Sequence, residues 1–181
     1  ILQLPKWMVP ILKRVRNVCE NHTEFKRLRP MGIEAHIHKM IFDDPSKYQV
    51  TYEPSDTPTI WMSYHLGRED EYGLYRFLNI ARQIPELRFR FFNGLTPIED
   101  FDEVTSHYQA TIRFNEFDGF SENLSKAMLR GQYAFSVIPY PDMFTITDDA
   151  SLIEALRGLK GKKEPRGTSY WRKHLSNRVE V

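Results

Sequence analysis

The order of strand-like and helix-like segments predicts an α/β fold with a doubly wound parallel sheet. Three observations carry it. Thr59 to Tyr64 (TIWMSY) reads as a buried strand, Gly73 to Gln83 as a helix with Leu74, Phe77, Leu78 and Ala81 on one face, and Leu87 to Phe92 as a strand closed by Asn93-Gly94. Strand, helix and strand within roughly 30 residues form a βαβ unit, which is parallel and right-handed. The pattern then repeats, with a strand at Ala110 to Phe114, a helix at Ser121 to Leu129 and a strand at Tyr133 to Ile138.

The remaining elements follow from local signals. Val15 to Cys19 is a short apolar-leaning strand, Thr23 to Met31 a short helix stopped by Gly32, and Ile33 to Met40 alternates as a half-buried strand does. Asp43 to Pro58, rich in Pro, Ser and Asp, reads as a connector, and His65 to Tyr72 as a polar loop containing Gly67. Pro85 ends the helix before it, and no element is assigned between Gly94 and Ala110. Asp148-Asp149 caps a helix from Ala150 to Leu159 with Leu152, Ile153, Leu156 and Leu159 on its apolar face. After the basic linker Gly161 to Gly167, Tyr170 to Val179 predicts a polar helix with only Trp171, Leu175 and Val179 to bury, which suits a partner outside this chain. The expectation is one domain over 1–181: a lead-in over about 1–45, a core over 59–160 and a C-terminal helix over 168–181.

Composition narrows the class. A chain of 181 residues with 41% hydrophobic content suits a single core, and a net charge of +1 argues against a nucleic-acid surface. No apolar run approaches the ~20 residues of a spanning helix. The lone Cys19 excludes an internal disulfide framework and fits a reducing, cytoplasmic setting. The chain starts at Ile1 without a signal-peptide pattern, as an excised piece of something longer would. The sequons at Asn21 and Asn123 read as chance matches.

In doubly wound folds, ligands bind beyond the carboxyl ends of the strands, at a switch in strand order. The loops His65 to Tyr72 and Asn115 to Ser121 leave such ends. In the second, Asp118-Gly119-Phe120 turns directly into a helix carrying Leu124, Ala127 and Met128 and stopped by Gly131. A helix N-terminus offers unpaired N–H groups and a positive dipole end, which suits an anion. An acid beside it suits hydroxyls. A nucleotide sugar carries both groups.

On these residues the sequence resembles the C-terminal, donor-binding lobe of GT-B glycosyltransferases, a Rossmann-like lobe, in the retaining group related to glycogen and sucrose synthases (glycosyltransferase family 4-like). Asp118-Gly119-Phe120-Ser121, Lys126-Ala127-Met128 and Gly131 occupy the frame of that group's Glu-Gly-Phe-Gly, Glu-Ala-Met and Gly, with the spacing of its two glutamates. Ser63 to Gly94, with Gly67-Arg68 and Tyr72-Gly73, follows its upstream plan; Thr147-Asp148-Asp149 and Tyr170-Trp171-Arg172 resemble its downstream turn and the opening of its last helix. The resemblance implies transfer of a hexosyl group from a nucleotide-sugar, with retention, without a metal or other cofactor, and with an N-terminal acceptor lobe in a longer chain. Peripheral membrane association of that longer protein is compatible with it. Asp118 would grip the donor sugar and Arg68 would neutralise the leaving diphosphate. Gly67, His65, Gly119, Phe120, Ser121 and Lys126 would complete the donor site. Lys126 replaces the second glutamate and Tyr72 replaces a phosphate-binding lysine. These departures suggest an alternative, a catalytically impaired nucleotide- or sugar-binding regulatory module of the same fold.

Simpler readings stay open beside these. Asp118 also suits a plain turn. Lys126 follows Glu122 by four, a surface helix pair, and Arg68 lies in the charged run Arg68 to Glu71. His65 either touches the ligand or caps its strand. His36 and His38, with Asp43 and Asp44, could make a metal set, although a half-buried strand explains them more simply. Ser121 lacks the Gly-x-Ser-x-Gly elbow of a hydrolase, and no Gly-x-Gly-x-x-Gly marks a dehydrogenase half.

Overall fold

The structure is a computed structural model and describes residues 4–19, 22–37, 45–95, 97–116, 121–162, 171–173 and 175. The chain divides into two compact units, one of Ile1–Asp43, Phe117–Ser121 and Arg178–Val181, the other of Asp44–Glu116 and Glu122–Asn177.

In the first unit a short helix α1 (Met8–Leu12) precedes β1 (Asn17–Cys19), which pairs in parallel with β2 (Ala35–Ile37). Helix α2 (His22–Leu28) and a 3-10 turn at Arg29–Met31 connect the two strands. Gly32 ends the turn at φ 67°, where its N–H reaches the Arg29 carbonyl at 3.0 Å. The stop expected at this glycine is therefore a left-handed cap. The Asn17 amide ties the strand pair together by donating to the Glu34 carbonyl at 2.9 Å. His36 is exposed on β2, and His38, Asp43 and Asp44 lie outside the described residues. Among the described residues no three His, Cys, Asp or Glu side chains stand close enough to share a metal.

The second unit carries a five-stranded parallel sheet. Its strands are β3 (Thr59–Tyr64), β4 (Arg88–Asn93), β5 (Ala110–Arg113), β6 (Tyr133–Ser136) and β7 (Phe144–Thr145), in the order β4-β3-β5-β6-β7. Central β3 buries Ile60, Trp61 and Met62 almost completely, so it reads as a continuous apolar run rather than an alternating one. Its two faces are covered differently. Ile60, Met62 and Tyr64 share a core with Leu74, Phe77 and Ile80 of α4 (Leu74–Gln83) and with Leu152 and Leu156 of α7 (Asp149–Arg157). On the opposite face, Trp61 meets the Phe101 ring of α5 (Ile98–Ser106) edge-on at 5.3 Å, an arrangement that adds about 0.5–1.5 kcal/mol beyond burial. Also on that face, Asn123 of α6 (Glu122–Leu129) donates to the Ser63 hydroxyl at 2.7 Å. Helices thus cover both faces of a parallel sheet, which is the doubly wound arrangement expected.

Several expectations change in detail. The span 65–72 is not all loop: Glu69–Tyr72 winds into a helical turn, α3. Its acids suit a helix start, and the Glu69 carboxylate accepts the Gly67 N–H at 3.0 Å. Gly73 ends α3 and begins α4 at φ 73°, and a Cβ there would stand 2.7 Å from that of Phe114. Helix α5 occupies part of the stretch to which the sequence assigned nothing. Pro97 precedes its first residue, which is the signal that was available. The two-residue edge strand β7 carried no periodicity to read. Asp148 caps α7 as expected, accepting the Ser151 N–H at 2.7 Å.

The C-terminal segment also finds partners within this chain. Trp171 is buried and its indole donates to the Pro141 carbonyl at 2.9 Å, while Arg172 donates to the carbonyls of Pro45 and Tyr48 at 3.0 and 2.8 Å. No helix among the described residues is long and apolar enough to cross a membrane.

Candidate functional site

The switch in strand order falls between β3 and β5. The chain leaves β3 toward β4 on one side and returns to β5 on the other, with Ile60 opposite Ala110 and Trp61 opposite Thr111. Connections diverge there, so the carboxyl ends of the two strands open a crevice. His65 leaves β3 at this end, and Arg113, Phe114 and Asn115 leave β5. The two loops singled out in the sequence start at these neighbouring strand ends.

Around the crevice, arginines stand over aromatic rings and beside carboxylates. The Tyr72 ring, buried at the end of α3, carries two guanidinium groups, Arg68 at 5.4 Å and Arg113 at 4.8 Å from its centroid. Such contacts draw a cation to the ring face within about 6 Å. Arg76 sits over Phe114 at 4.6 Å and pairs with Asp149 at 2.6 Å. The His65 ring meets Tyr72 edge-on at 5.1 Å and packs against Gly94, where a Cβ would stand 2.7 Å from Nδ1. Gly94 therefore makes room for the imidazole.

Arg68 remains half exposed while pairing with Glu71; its Nε donates to the Glu71 carboxylate at 2.7 Å. That hydrogen bond, first, and the positive field of Arg68, Arg113 and His65 hold the Glu71 carboxyl below its ordinary range. Gly67 adopts φ 79° with open space beside it, a left-handed turn that glycine takes without strain. Beyond β5, Asn115 is 4% exposed, and its Oδ1 has no hydrogen-bond partner among the described residues. A buried acceptor left unmatched is uncommon and calls for an explanation.

Of the donor-site residues named from the sequence, the structure brings His65, Gly67 and Arg68 to the crevice. Ser121 is buried immediately before α6, while Asp118, Gly119 and Phe120 lie outside the described residues. Lys126 is not the exposed partner of Glu122 that the helix spacing suggested. Its side chain is 5% exposed, and Nζ donates to Asp102 of α5 at 2.9 Å as well as to Glu122 at 2.9 Å. Arg130 joins the same Asp102 at 3.3 Å and lies 5.4 Å from the Tyr48 ring. Burial opposes the charge on Lys126, but the hydrogen bonds to Asp102 and Glu122 outweigh it and raise the pKa. This ammonium is committed to holding α5 against α6. Arg113, Asn115 and Asp102 were missed from sequence. Arg113 reads there as the polar end of a strand, and Asp102 lies in the unassigned helix.

A cavity of about 250 Å³ lies elsewhere, lined by Met128, Tyr133, Phe135, Phe144 and Leu159. None of the candidate residues lines it.

No protein-family model matches the sequence, and no curated protein is significantly similar to it. Solved structures do match. The pneumococcal O-GlcNAc transferase GtfA, in complex with UDP and GlcNAc, aligns at TM-score 0.59 and 10% identity over 94% of this chain and 43% of its own. The GtfA/B complex aligns at 0.64 and 12% over 95% and 44%. The lipopolysaccharide outer core galactosyltransferase WaaB, in its apo form, aligns at 0.64 and 12% over 91% and 58%. The chain thus spans about half the length of these proteins. At such identities the likeness is one of fold alone, a Rossmann-like α/β fold of the kind that part of each of these proteins has.

Proposed function

We propose that this chain is the donor-binding lobe of a glycosyltransferase of the retaining, family 4-like group, which takes a hexosyl group from a nucleotide-sugar without a metal or other cofactor. The observation that carries the reading is the guanidinium pair on Tyr72 at the switch between β3 and β5. Negative charge grows on the diphosphate as the glycosidic bond to it breaks. Fixed cations already in place stabilise that charge without reorganising. At 4 Å, near a protein surface, each unit charge pair is worth about 4 kcal/mol. Arg68 faces the diphosphate, the N-terminus of α6 lends its N–H groups, and Asp118 holds the sugar hydroxyls. The unmatched Asn115 Oδ1 accepts a further hydroxyl of the ligand. Acceptor binding falls to an N-terminal lobe of a longer protein, which works in the cytoplasm, where Cys19 stays reduced.

A second reading has its own support. Position 126 holds no carboxylate for a ribose, and its lysine is bound to Asp102 and Glu122. That favours a nucleotide-binding module with impaired transfer. Sugar transfer by the longer protein separates the two.

Binding itself is tested by following amide chemical shifts while UDP, GDP or ADP is added. The shifts expected are at 65–72, 113–116 and 121–124. Shifts confined to β6, β7 and the 250 Å³ cavity would sink the placement.

A further inference from the structure

We infer that the outer edge of β4 takes an extended acidic segment of another protein, which pairs with it as a further strand of the sheet. The inference stands apart from the nucleotide reading. It starts from the unequal edges of the sheet, whose order is β4-β3-β5-β6-β7. The edge strand β7 has two residues and offers little to pair with. The other edge strand, β4, has six, and all six are in register with β3. An edge of that length is a ready template for another chain unless something shortens or covers it.

The register fixes which way the main-chain groups of β4 point. The Arg88 N–H donates to the Pro58 carbonyl at 3.0 Å, on the side of β3. These groups alternate in direction along a strand, so those of Phe89, Phe91 and Asn93 point away from β3. No strand among the described residues pairs with them. Side chains alternate between the two faces as well. Phe89 meets Phe77 of α4, and Phe91, two residues on, shares that face and is 50% exposed. Phe92 meets Phe101 of α5 on the opposite face, which Arg88 and Arg90 share. Both arginines are exposed, and no ion pair among the described residues holds either guanidinium.

This charge selects the occupant. A second copy of β4 laid antiparallel would set Arg88 against Arg90, or Arg90 against its own counterpart, and like charges opposite one another destabilise a strand pair. An acidic strand meets the same two arginines with attraction. Main-chain hydrogen bonds then supply affinity, and the alternating side chains supply specificity. The partner's pattern follows from the two faces: acids at every second position beside Arg88 and Arg90, and apolar residues between them, beside Phe89 and Phe91.

The test titrates the 181-residue chain with three capped synthetic peptides and follows amide chemical shifts. One is Thr-Val-Glu-Val-Glu-Val-Thr, the second has Lys in place of Glu, and the third is the isomer Thr-Val-Val-Glu-Glu-Val-Thr, which breaks the alternation. The alternating acidic peptide is expected to shift 88–94 and to bind at least about tenfold more tightly than the basic one, a gap that narrows at high salt. The isomer should bind more weakly than the alternating form. Arg88→Glu combined with Arg90→Glu should reverse the preference toward the basic peptide, with little change in melting temperature because both side chains are exposed. Several results overturn the inference: no shift at 88–94 at about 1 mM peptide, equal binding of the three peptides, or a preference that survives the double reversal. Concentration-dependent dimerisation of the chain through β4 overturns it too, because a second copy then covers the edge.

Discussion

Two groups of cations in this molecule use the same chemistry in opposite ways. Between α5 and α6, Lys126 and Arg130 are 5% and 7% exposed and converge on one carboxylate, Asp102, with Glu122 completing the set. At the ends of β3 and β5, Arg68 and Arg113 lie over the Tyr72 ring, Arg68 is half exposed, and a buried acceptor on Asn115 has no match among the described residues. The first group is closed: charges and hydrogen bonds balance inside the protein, so its energy goes into the fold. The second lies nearer the surface, where Arg68 and its partner Glu71 are both about half exposed. Position along the strands explains the difference. The closed set packs on the flank of the sheet, while the second set stands at the carboxyl edge, where chain connections part.

The largest effect expected is on the closed set. Asp102→Ala leaves Lys126 and Arg130 buried with, among the described residues, the single carboxylate of Glu122 to compensate them. Stability should fall by about 2–3 kcal/mol in urea unfolding, somewhat below the range for a fully buried pair because Asp102 is itself 29% exposed. A loss below about 0.5 kcal/mol would make this cluster an ordinary solvated pair and erase the contrast.

Asn115→Leu probes the second set. Replacing an unmatched buried amide by an apolar side chain of similar size should leave stability unchanged or raise it by about 1 kcal/mol, while nucleotide-sugar binding weakens. Melting and shift titration on one sample read both. A stability loss above about 2 kcal/mol would show that Asn115 serves the fold.

The smallest effect is on melting of Arg68→Gln. An exposed pair with Glu71 adds little, so the melting temperature near neutral pH should move by no more than about 1 °C. The Glu71 carboxyl is lowered, chiefly by its hydrogen bond to Arg68. What the pair adds is therefore present above the unfolded carboxylate value of about 4.3 and disappears as pH falls through the lowered one. Parent and variant should converge in acid. A gap that widens in acid would contradict the pairing.

Much of this fold was legible in the sequence because its central elements carry strong local signals. TIWMSY reads as a buried strand, and Leu74, Phe77, Leu78 and Ala81 recur at helical spacing; the structure buries Leu74 and Phe77 of that face together with Ile80 and leaves Leu78 and Ala81 half-buried. Parallel topology then followed from the order of elements. What escaped had weak signals. Helix α5 mixes acids with few apolar residues, so its amphipathic face is short. Strand β7 is two residues long. The crevice was legible as a place, since His65, Gly67 and Arg68 leave β3 beside the end of β5. Its inventory was not. That Arg113 reaches a ring on α3, or that Lys126 turns toward Asp102 24 residues earlier, depends on how helices pack, which no local pattern encodes.

The central place of β3 has a consequence for how the chain is made. Its partner on one side, β4, begins at Arg88, but its partner on the other side begins at Ala110, 50 residues after the facing Ile60. At the usual pace of synthesis, roughly 5–20 residues per second, that edge waits for seconds after β3 has left the ribosome. During the wait Trp61 and Met62 belong to an unpaired apolar strand, the kind of segment that nascent chains must shield from one another. The strand order that opens a crevice in the finished protein also sets its most exposed moment during birth.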